Sequence, residues 1–192
     1  YRDVELPLLP ILAQMEHTGI GLDREALATI RDDIAARVKE SEQQCHDLAG
    51  RPFKVSSTKE VAALLFDELG LPPGKKTKTG FSTASAVLEG LADAHPLPMA
   101  ILNWRSLSKL LNTYLSKLPQ YVAEDERIHT TFNQAVAATG RLSSTEPNLQ
   151  NIPIRTFEGR RIREAFVPEE GFVFLSCDYS QVELRILAHC CA

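Results

Sequence analysis

The stretch that decides the fold is FVFLSCDYSQVELRILAH, residues 172–189. Its four leading apolar residues, Phe172, Val173, Phe174 and Leu175, predict a short buried-type strand, and residues 181–191 follow a helical pattern. Asp178 falls where the apolar run stops, so its carboxylate stands at a strand end, exposed beside a buried sheet. That is a suitable place for a hard cation, because Mg²⁺ is commonly held by one or two carboxylates together with substrate phosphates. Glu183 follows on the first helical turn, near enough to face the same cleft. Arg185 is its candidate ion-pair partner or support. A lone aspartate in such a place is more often a helix N-cap than a ligand, so the unit needs company.

Working upstream, residues 127–136 have the β-branched and aromatic content of a strand, and TGRLSSTEPNLQNIPIRT, residues 139–156, reads as an ordered loop. Residues 160–166 suggest a short helix. The span 134–155 is dense in amides and hydroxyls and carries Arg141 and Arg155, which suits reading groove edges and phosphates. The alternative is a self-bonded surface loop stiffened by Pro147 and Pro153.

Further upstream the pattern is helical. Residues 8–17 place Leu8, Leu9, Ile11, Leu12 and Met15 on one face, stop at Gly19, and lead to a short extended piece at 20–22. Asp23 is the expected N-cap of a long helix with Leu27, Ile30, Ile34, Val38, Cys45 and Leu48 on a stripe and Gly50 as its stop. Ser57 and Glu60 match a capping box that opens a helix ending at Gly70. PPGKKTKTG, residues 72–80, predicts a loop with Lys75, Lys76 and Lys78. Ser82 and Thr83 then start a helix over 86–94, at whose N-terminus free N–H groups attract a phosphate. Residues 99–118 form a longer helix ended by Pro119, with Arg105, Lys109 and Asn112 at helical spacing. The fold class expected is α+β, a mainly helical part followed by short antiparallel strands.

With 192 residues, 44% of them hydrophobic, the chain can bury a sizeable core in one or two domains. No apolar run approaches the ~20 residues of a membrane span. The absence of a signal segment and of an initiator Met at Tyr1 suggests an internal N-terminus. Four cysteines without CxxC spacing favour a reducing, cytoplasmic setting. Zinc at Cys177, His189, Cys190 and Cys191 is less favoured than small buried thiols, because adjacent cysteines on a helix cannot easily share one ion. The net charge of −4 argues against nucleic acid until it is divided along the chain. Residues 1–50 carry 5 basic and 10 acidic side chains, residues 51–118 carry 9 and 5, and residues 119–192 carry 7 and 10, so positive charge gathers in the middle.

Residues 134–166, QAVAATGRLSSTEPNLQNIPIRTFEGRRIREAF, and 177–189, CDYSQVELRILAH, resemble the core of the family-A DNA polymerases of the bacterial DNA polymerase I type, the second being motif A. SSTKEVAALLFDELGLP, KTKTGFSTASAVLEGLADAHP and ILNWRSLSKLLNTYLSKLP resemble the thumb of that family. The resemblance runs over essentially the whole chain, in order. It implies a palm-associated segment over 1–22, a helical thumb over 23–118, and over 119–192 a palm that ends just after motif A.

The resemblance also implies roles. Asp178 is the first catalytic metal carboxylate, the Tyr179 carbonyl a further ligand, and two Mg²⁺ ions serve the complete enzyme. Gln181, Glu183 and Arg155 fall on the nucleotide side, Glu183 as a steric gate beneath the sugar C2′. Arg141 reaches the minor groove at the primer end. Asn148, Gln150 and Asn151 line primer and template, and Arg105, Lys109, Ser82 and Thr83 follow the backbone. The implied partners are primer-template DNA and a dNTP, the state a monomer without a membrane, and the location the cytoplasm at the nucleoid. Ala137 stands where relatives usually have Thr, and Leu111 where many have a second lysine. Cys190 and Cys191 are unusual after motif A. The fingers helix and second palm carboxylate would lie beyond Ala192, so the 192 residues alone are expected to be inactive. Two rivals stay open, a duplex-binding module without catalysis and a single-subunit RNA polymerase. The bulk of Glu183 argues against the second.

Overall fold

Asp23 opens the longest helix. In the computed structural model, which describes residues 1–74, the backbone of 76–77, and residues 80–191, its carboxylate accepts from the Ala26 amide at 2.9 Å and caps α2 (Arg24–Ala49). Gly50 ends α2 in the left-handed conformation, at φ 70°. Leu27, Ile30, Ile34 and Cys45 are buried along the expected stripe, with Val38 and Leu48 half-buried beside them. The Cys45 thiol is pushed up to about 11, by burial first and by the Glu42 charge second. Cys177, Cys190 and Cys191 are exposed, which corrects the expectation of small buried thiols.

The partner of α2 is α5 (Leu97–Leu110), which continues as a π-helical turn (Leu111–Leu115). Pro119 lies in the first turn of the 3₁₀ helix Leu118–Tyr121 rather than ending an α-helix. Leu27, Ile30 and Ile34 share a core with Leu107, Leu110, Leu115 and Leu118, and Cys45 shares a second core with Leu97, Ala100 and Ile101. The two helices therefore run antiparallel. Between the cores, Ser41, 4% exposed, accepts from the Asn103 amide at 3.3 Å. Each aliphatic side chain buried here contributes about 1.5–3 kcal/mol. A part-exposed ion pair such as Arg37–Glu158, at 2.7 Å, is worth only about 0–1 kcal/mol, so burial decides the packing.

The second core lies under two short elements. Ser57 accepts from the Glu60 amide at 3.3 Å and caps α3 (Thr58–Ala62), which runs on as a π-helical turn (Ala63–Glu68). Only half of the capping box closes, since Glu60 accepts from the Lys54 amide at 2.8 Å. The lysine-rich stretch expected as a loop contains an antiparallel hairpin, β2 (Lys76–Thr77) with β3 (Gly80–Phe81). The Phe81 ring packs edge-on against Phe66, 5.4 Å between centroids, which anchors that strand to the core. Lys75 and Lys78 lie outside the described residues. α4 is Ser85–Glu89, shorter than expected, with turns after it.

The strands meet around β1 (Ile20–Leu22), the centre of an antiparallel sheet flanked by β4 (Arg127–Ile128) and β7 (Phe166–Val167). The strand expected over 127–136 is divided. β5 (Thr131–Asn133) belongs to another sheet and pairs with β6 (Ser143–Thr145), inside the expected loop. The division falls where His129 turns to α1 (Glu5–Thr18) and the Thr130 hydroxyl turns to the carbonyls of Thr145 and Pro147. α6 (Phe157–Glu164) starts earlier than expected, because Thr156 accepts from the Gly159 amide. On α1 only Leu12 is buried, and Leu9, Ile11 and Met15 of the expected apolar face are exposed. No helix among the described residues is long and apolar enough to cross a membrane.

Residues 172–175 do not form the expected buried strand: Val173 is 86% exposed and its neighbours are open as well. A strand needs a paired edge and a covered face, and no described strand pairs with this run. The helix after it, α7 (Val182–Cys190), forms as expected.

Cationic side chains from β4 and the residue after it close the end of α1. Arg127 donates to the carbonyls of Thr18 and Gly19 at 2.6 and 3.1 Å, which suits the negative end of the helix dipole. His129 Nδ1 lies 2.7 Å from the Glu16 carbonyl and Nε2 lies 3.0 Å from Asp125. Both partners can only accept, so the imidazole is held most favourably with a proton on each nitrogen. Its pKa is raised by the Glu16 carbonyl first and then by Asp125, against desolvation and the Arg127 charge. A raised value in the folded state means the contribution is fully present below the ordinary value of about 6.5 and lost as pH rises through the folded value. The urea midpoint should therefore fall between pH 6 and pH 8 by more in the wild type than in His129→Gln. Parallel pH profiles for the two would show that this contact carries no linkage.

Candidate nucleic-acid interface and metal carboxylate

The loop from Arg141 to Thr156 is built from within. After β6 the chain turns through a cis Glu146–Pro147 bond, and the buried Thr130 hydroxyl reaches the Pro147 carbonyl at 2.7 Å. Ser144 accepts from the Leu149 amide at 3.1 Å, and Asn148 Oδ1 accepts from the Gln150 amide at 3.1 Å, closing a tight turn. The Gln150 amide nitrogen donates to the Leu142 carbonyl at 3.0 Å. Ile152 is buried, and the Tyr114 hydroxyl, from the π-helical turn, donates to the Asn151 carbonyl. Burial raises the Tyr114 pKa, so the hydroxyl keeps its proton.

This frame turns a set of polar side chains outward. Arg141, Asn148, Gln150, Asn151 and Arg155 are all exposed. With Asn148 Oδ1 and the Gln150 nitrogen engaged inside the loop, Asn148 keeps its NH₂ donors and Gln150 its oxygen. The loop is thus both self-bonded and outward-facing, and the two readings of its sequence are compatible. Gln134, at the upstream edge, is instead tied to Glu5.

The basic stretch of the helices behaves differently from its sequence pattern. Arg105 donates to the Thr83 carbonyl at 2.5 Å and to its hydroxyl at 3.1 Å, and burial lowers the Arg105 pKa. Ser82 accepts from the Ala84 amide at 3.3 Å, so Ala84 rather than Ser82 or Thr83 precedes α4. The expected helix N-terminus for a phosphate is therefore displaced, and Thr83 is buried. Ser82, Thr83, Arg105 and Lys59 line one groove of about 770 Å³, but Asp67 lines it too, so its charge is mixed. Lys109 is exposed one turn beyond Arg105, while Asn112 donates to Ser108.

At the other end, Asp178, Tyr179, Gln181 and Glu183 are all exposed. Gln181 takes a left-handed conformation at φ 53° just before α7. Arg185 donates to the Ser180 carbonyl at 3.1 Å, and no ion pair joins it to Glu183 among the described residues. The expected ion pair with Glu183 is thus not formed, and the Arg185 side chain instead closes the turn at Ser180. Likewise, no group of three or more His, Cys, Asp or Glu residues is gathered to hold a metal among the described residues.

These surfaces lie within a profile match to DNA polymerase family A that covers residues 24–192. The chain belongs to DNA polymerase family A. It is 49% identical over 191 residues to DNA polymerase I of Bacillus subtilis, covering 98% of this chain and 22% of that protein. With the thermostable DNA polymerase I of Thermus thermophilus the identity is 53% over 192 residues, or 98% of this chain and 23% of that one. The polymerase domain of Pol1 from M. smegmatis, solved in complex with DNA primer-template and dNTP, superposes with a TM-score of 0.88 at 46% identity, over 97% of this chain and 33% of that structure. This family-A chain therefore spans less than a quarter of the two full-length relatives it matches.

Sequence reasoning missed the residues that hold the loop, Thr130, Ser144 and Tyr114. Their partners lie 5 to 37 residues away, and no local period marks them. Gly159 is a further one. A Cβ there would lie 2.4 Å from the Pro153 carbonyl, so α6 can approach the loop only without a side chain. Gly159→Ala should destabilise the fold by about 1–3 kcal/mol, the usual range for overpacking, read as a lower urea midpoint. An unchanged midpoint would mean the loop moves aside at no cost.

Proposed function

We propose that this chain is the part of a template-directed DNA polymerase that grips primer-template duplex and supplies its first metal carboxylate. On this reading, residues 1–22 are palm-associated, 23–118 form the thumb and 119–192 begin the palm. The observation that carries it is the self-bonded loop of outward amides and guanidinium groups, in a chain that also offers an open carboxylate at Asp178. The Asn148 NH₂ is a donor suited to the acceptors A N3 and T O2 of the minor groove. Arg141 adds a charge at the primer end, and Lys109 and the Arg105 groove follow the phosphates. Gln150 and Asn151 extend the amide surface, while Arg155, Gln181 and Glu183 face the incoming dNTP.

The Asp178 carboxylate and the Tyr179 carbonyl fit part of a Mg²⁺ site. Both are hard oxygen donors, both belong to exposed residues, and a magnesium site of this kind relies on one or two carboxylates plus substrate phosphates. Bound there, a divalent pair supplies charge stabilisation for in-line displacement at a phosphate. The chain's own part is to hold Asp178 at the start of the turn that Arg185 clasps, with Glu183 one helical turn on. The complete protein works as a monomer in the cytoplasm, at the nucleoid. For these 192 residues alone the reading is duplex binding without turnover.

In the whole protein, Asp178→Asn should abolish primer extension and leave primer-template affinity within about twofold, since the exposed carboxylate is assigned to charge on a metal rather than to the duplex. Extension rates and a fluorescence titration of labelled duplex check both halves. Activity within tenfold of wild type would remove Asp178 from the metal site.

Glu183→Ala should raise ribonucleotide incorporation far more than it lowers deoxynucleotide incorporation. A 2′-hydroxyl beside Glu183 has to displace the carboxylate or leave a polar group unpaired, about 1–3 kcal/mol, or roughly tenfold to a hundredfold. The measurement is the ratio of incorporation efficiencies for matched dNTP and rNTP. A ratio within threefold of wild type would leave Glu183 without a role at the sugar.

A further inference from the structure

We propose that Tyr114 is a positioning residue that holds the duplex-facing loop, residues 148–155, through its hydroxyl. The proposal rests on the reading of that loop as a DNA-facing surface. Tyr114 is 4% exposed, in the core with Leu107, Leu110, Leu115 and Ile152. Phenylalanine would fill the same volume with no polar atom to satisfy, so a tyrosine there calls for a partner. The partner is the Asn151 carbonyl.

That carbonyl is a consequential one to hold. Ile152, the next residue, is buried, while the side chains of Asn148, Gln150 and Asn151 are exposed. Fixing the peptide plane between 151 and 152 inward fixes which way the preceding side chains face. The other tethers act before or after this peptide: Thr130 on Pro147, Ser144 on Leu149, Asn148 on the Gln150 amide and Gln150 on Leu142 upstream, Thr156 on Gly159 downstream. The turn that carries Tyr114 is π-helical, a local departure from the α-helix that occurs often at functional sites. The same continuous helical segment holds Thr83 through Arg105. One element thus sets both surfaces that face the duplex.

Tyr114→Phe keeps the ring and removes the hydroxyl. Hydrogen exchange by mass spectrometry on this chain should show faster exchange in residues 148–155, about threefold or more, with residues 27–34 of α2 unchanged. Titration with a labelled primer-template duplex should show a dissociation constant raised by about three- to tenfold, the loss typical of one hydrogen bond acting through a loop. In a background already carrying Asn148→Ala, Gln150→Ala and Asn151→Ala, the Tyr114→Phe effect on binding should shrink below about twofold, because both changes act on one surface. A merely structural role would give the same loss in both backgrounds, and that additivity overturns the proposal. Unchanged exchange in the loop, with the triple variant still weakening duplex binding, overturns it too and leaves the DNA-facing reading intact. A triple variant that binds duplex like the wild type sinks the DNA-facing reading itself, and this inference with it.

Discussion

Leu27, Ile30 and Ile34 of α2 meet Leu107, Leu110 and Tyr114 at the far end of α5, and Cys45 meets Ala100 and Ile101 at its near end. This antiparallel seam is the reference against which the outward surfaces are placed. Arg105 and Tyr114 project from the α5 side to Thr83 and Asn151, and from the α2 side Arg37 reaches Glu158 of α6. Burial alone would raise the Glu158 carboxyl, but its own backbone amide and the Arg37 guanidinium hold it below the ordinary value. Thr83, Asn151 and Glu158 are thus each one side chain away from the seam. A shift of α5 relative to α2 would move the groove near Thr83 and the loop at Asn151 together.

The carboxylate end is held by a different logic. Around Asp178 the internal tether is the Arg185 contact to the Ser180 carbonyl, and the preceding residues 172–175 lie open. Covering a Val, Leu or Phe side chain contributes about 1.5–3 kcal/mol. A surface that covered this run would therefore contribute enough free energy to set where Asp178 stands. The loop from Arg141 to Thr156 carries its geometry in its own hydrogen bonds, whereas the turn at Asp178 makes few such contacts among the described residues. The division fits a chain that spans less than a quarter of its full-length relatives.

Legibility in the sequence follows the range of the interactions. Asp23, the stripe to Cys45 and Gly50 were readable, because a cap, a period of 3.6 and a left-handed stop act within one helix. The central strand at 20–22 and the helix after Asp178 were readable for similar reasons. The hairpin at Phe81 was not, since it depends on Phe66, and two-residue strands carry no period. The span 127–136 read as one strand because nothing local announces that His129 turns to Glu16, 113 residues away, and Thr130 to Thr145 and Pro147, 15 and 17 residues away. The same limit explains Thr83. Ser-Thr before a helical run looks like a cap, and only the Arg105 contact shows the hydroxyl to be engaged. At the candidate site the sequence did not mark which groups are already engaged inside the fold.

That distinction also resolves the sign of the charge. A net −4 suits nucleic acid poorly if every ionic group counts equally. They do not. Arg37, Arg51 and Arg161 are paired with Glu158, Glu68 and Asp33, and Arg127 is bound to the carbonyls of Thr18 and Gly19. To meet a phosphate, each would first have to give up a partner. Such exchanges gain little, because exposed pairs are worth about 0–1 kcal/mol and the freed carboxylate then repels the backbone. Arg141, Arg155 and Lys109 are exposed and make no side-chain hydrogen bond or ion pair among the described residues. A phosphate or base edge that meets them displaces only water and counterions, the exchange that drives association with DNA. Attraction is therefore set by where cations are uncommitted, and among the several exposed cations of that kind Arg155 lies in the loop that Tyr114 holds and Arg141 lies upstream of it.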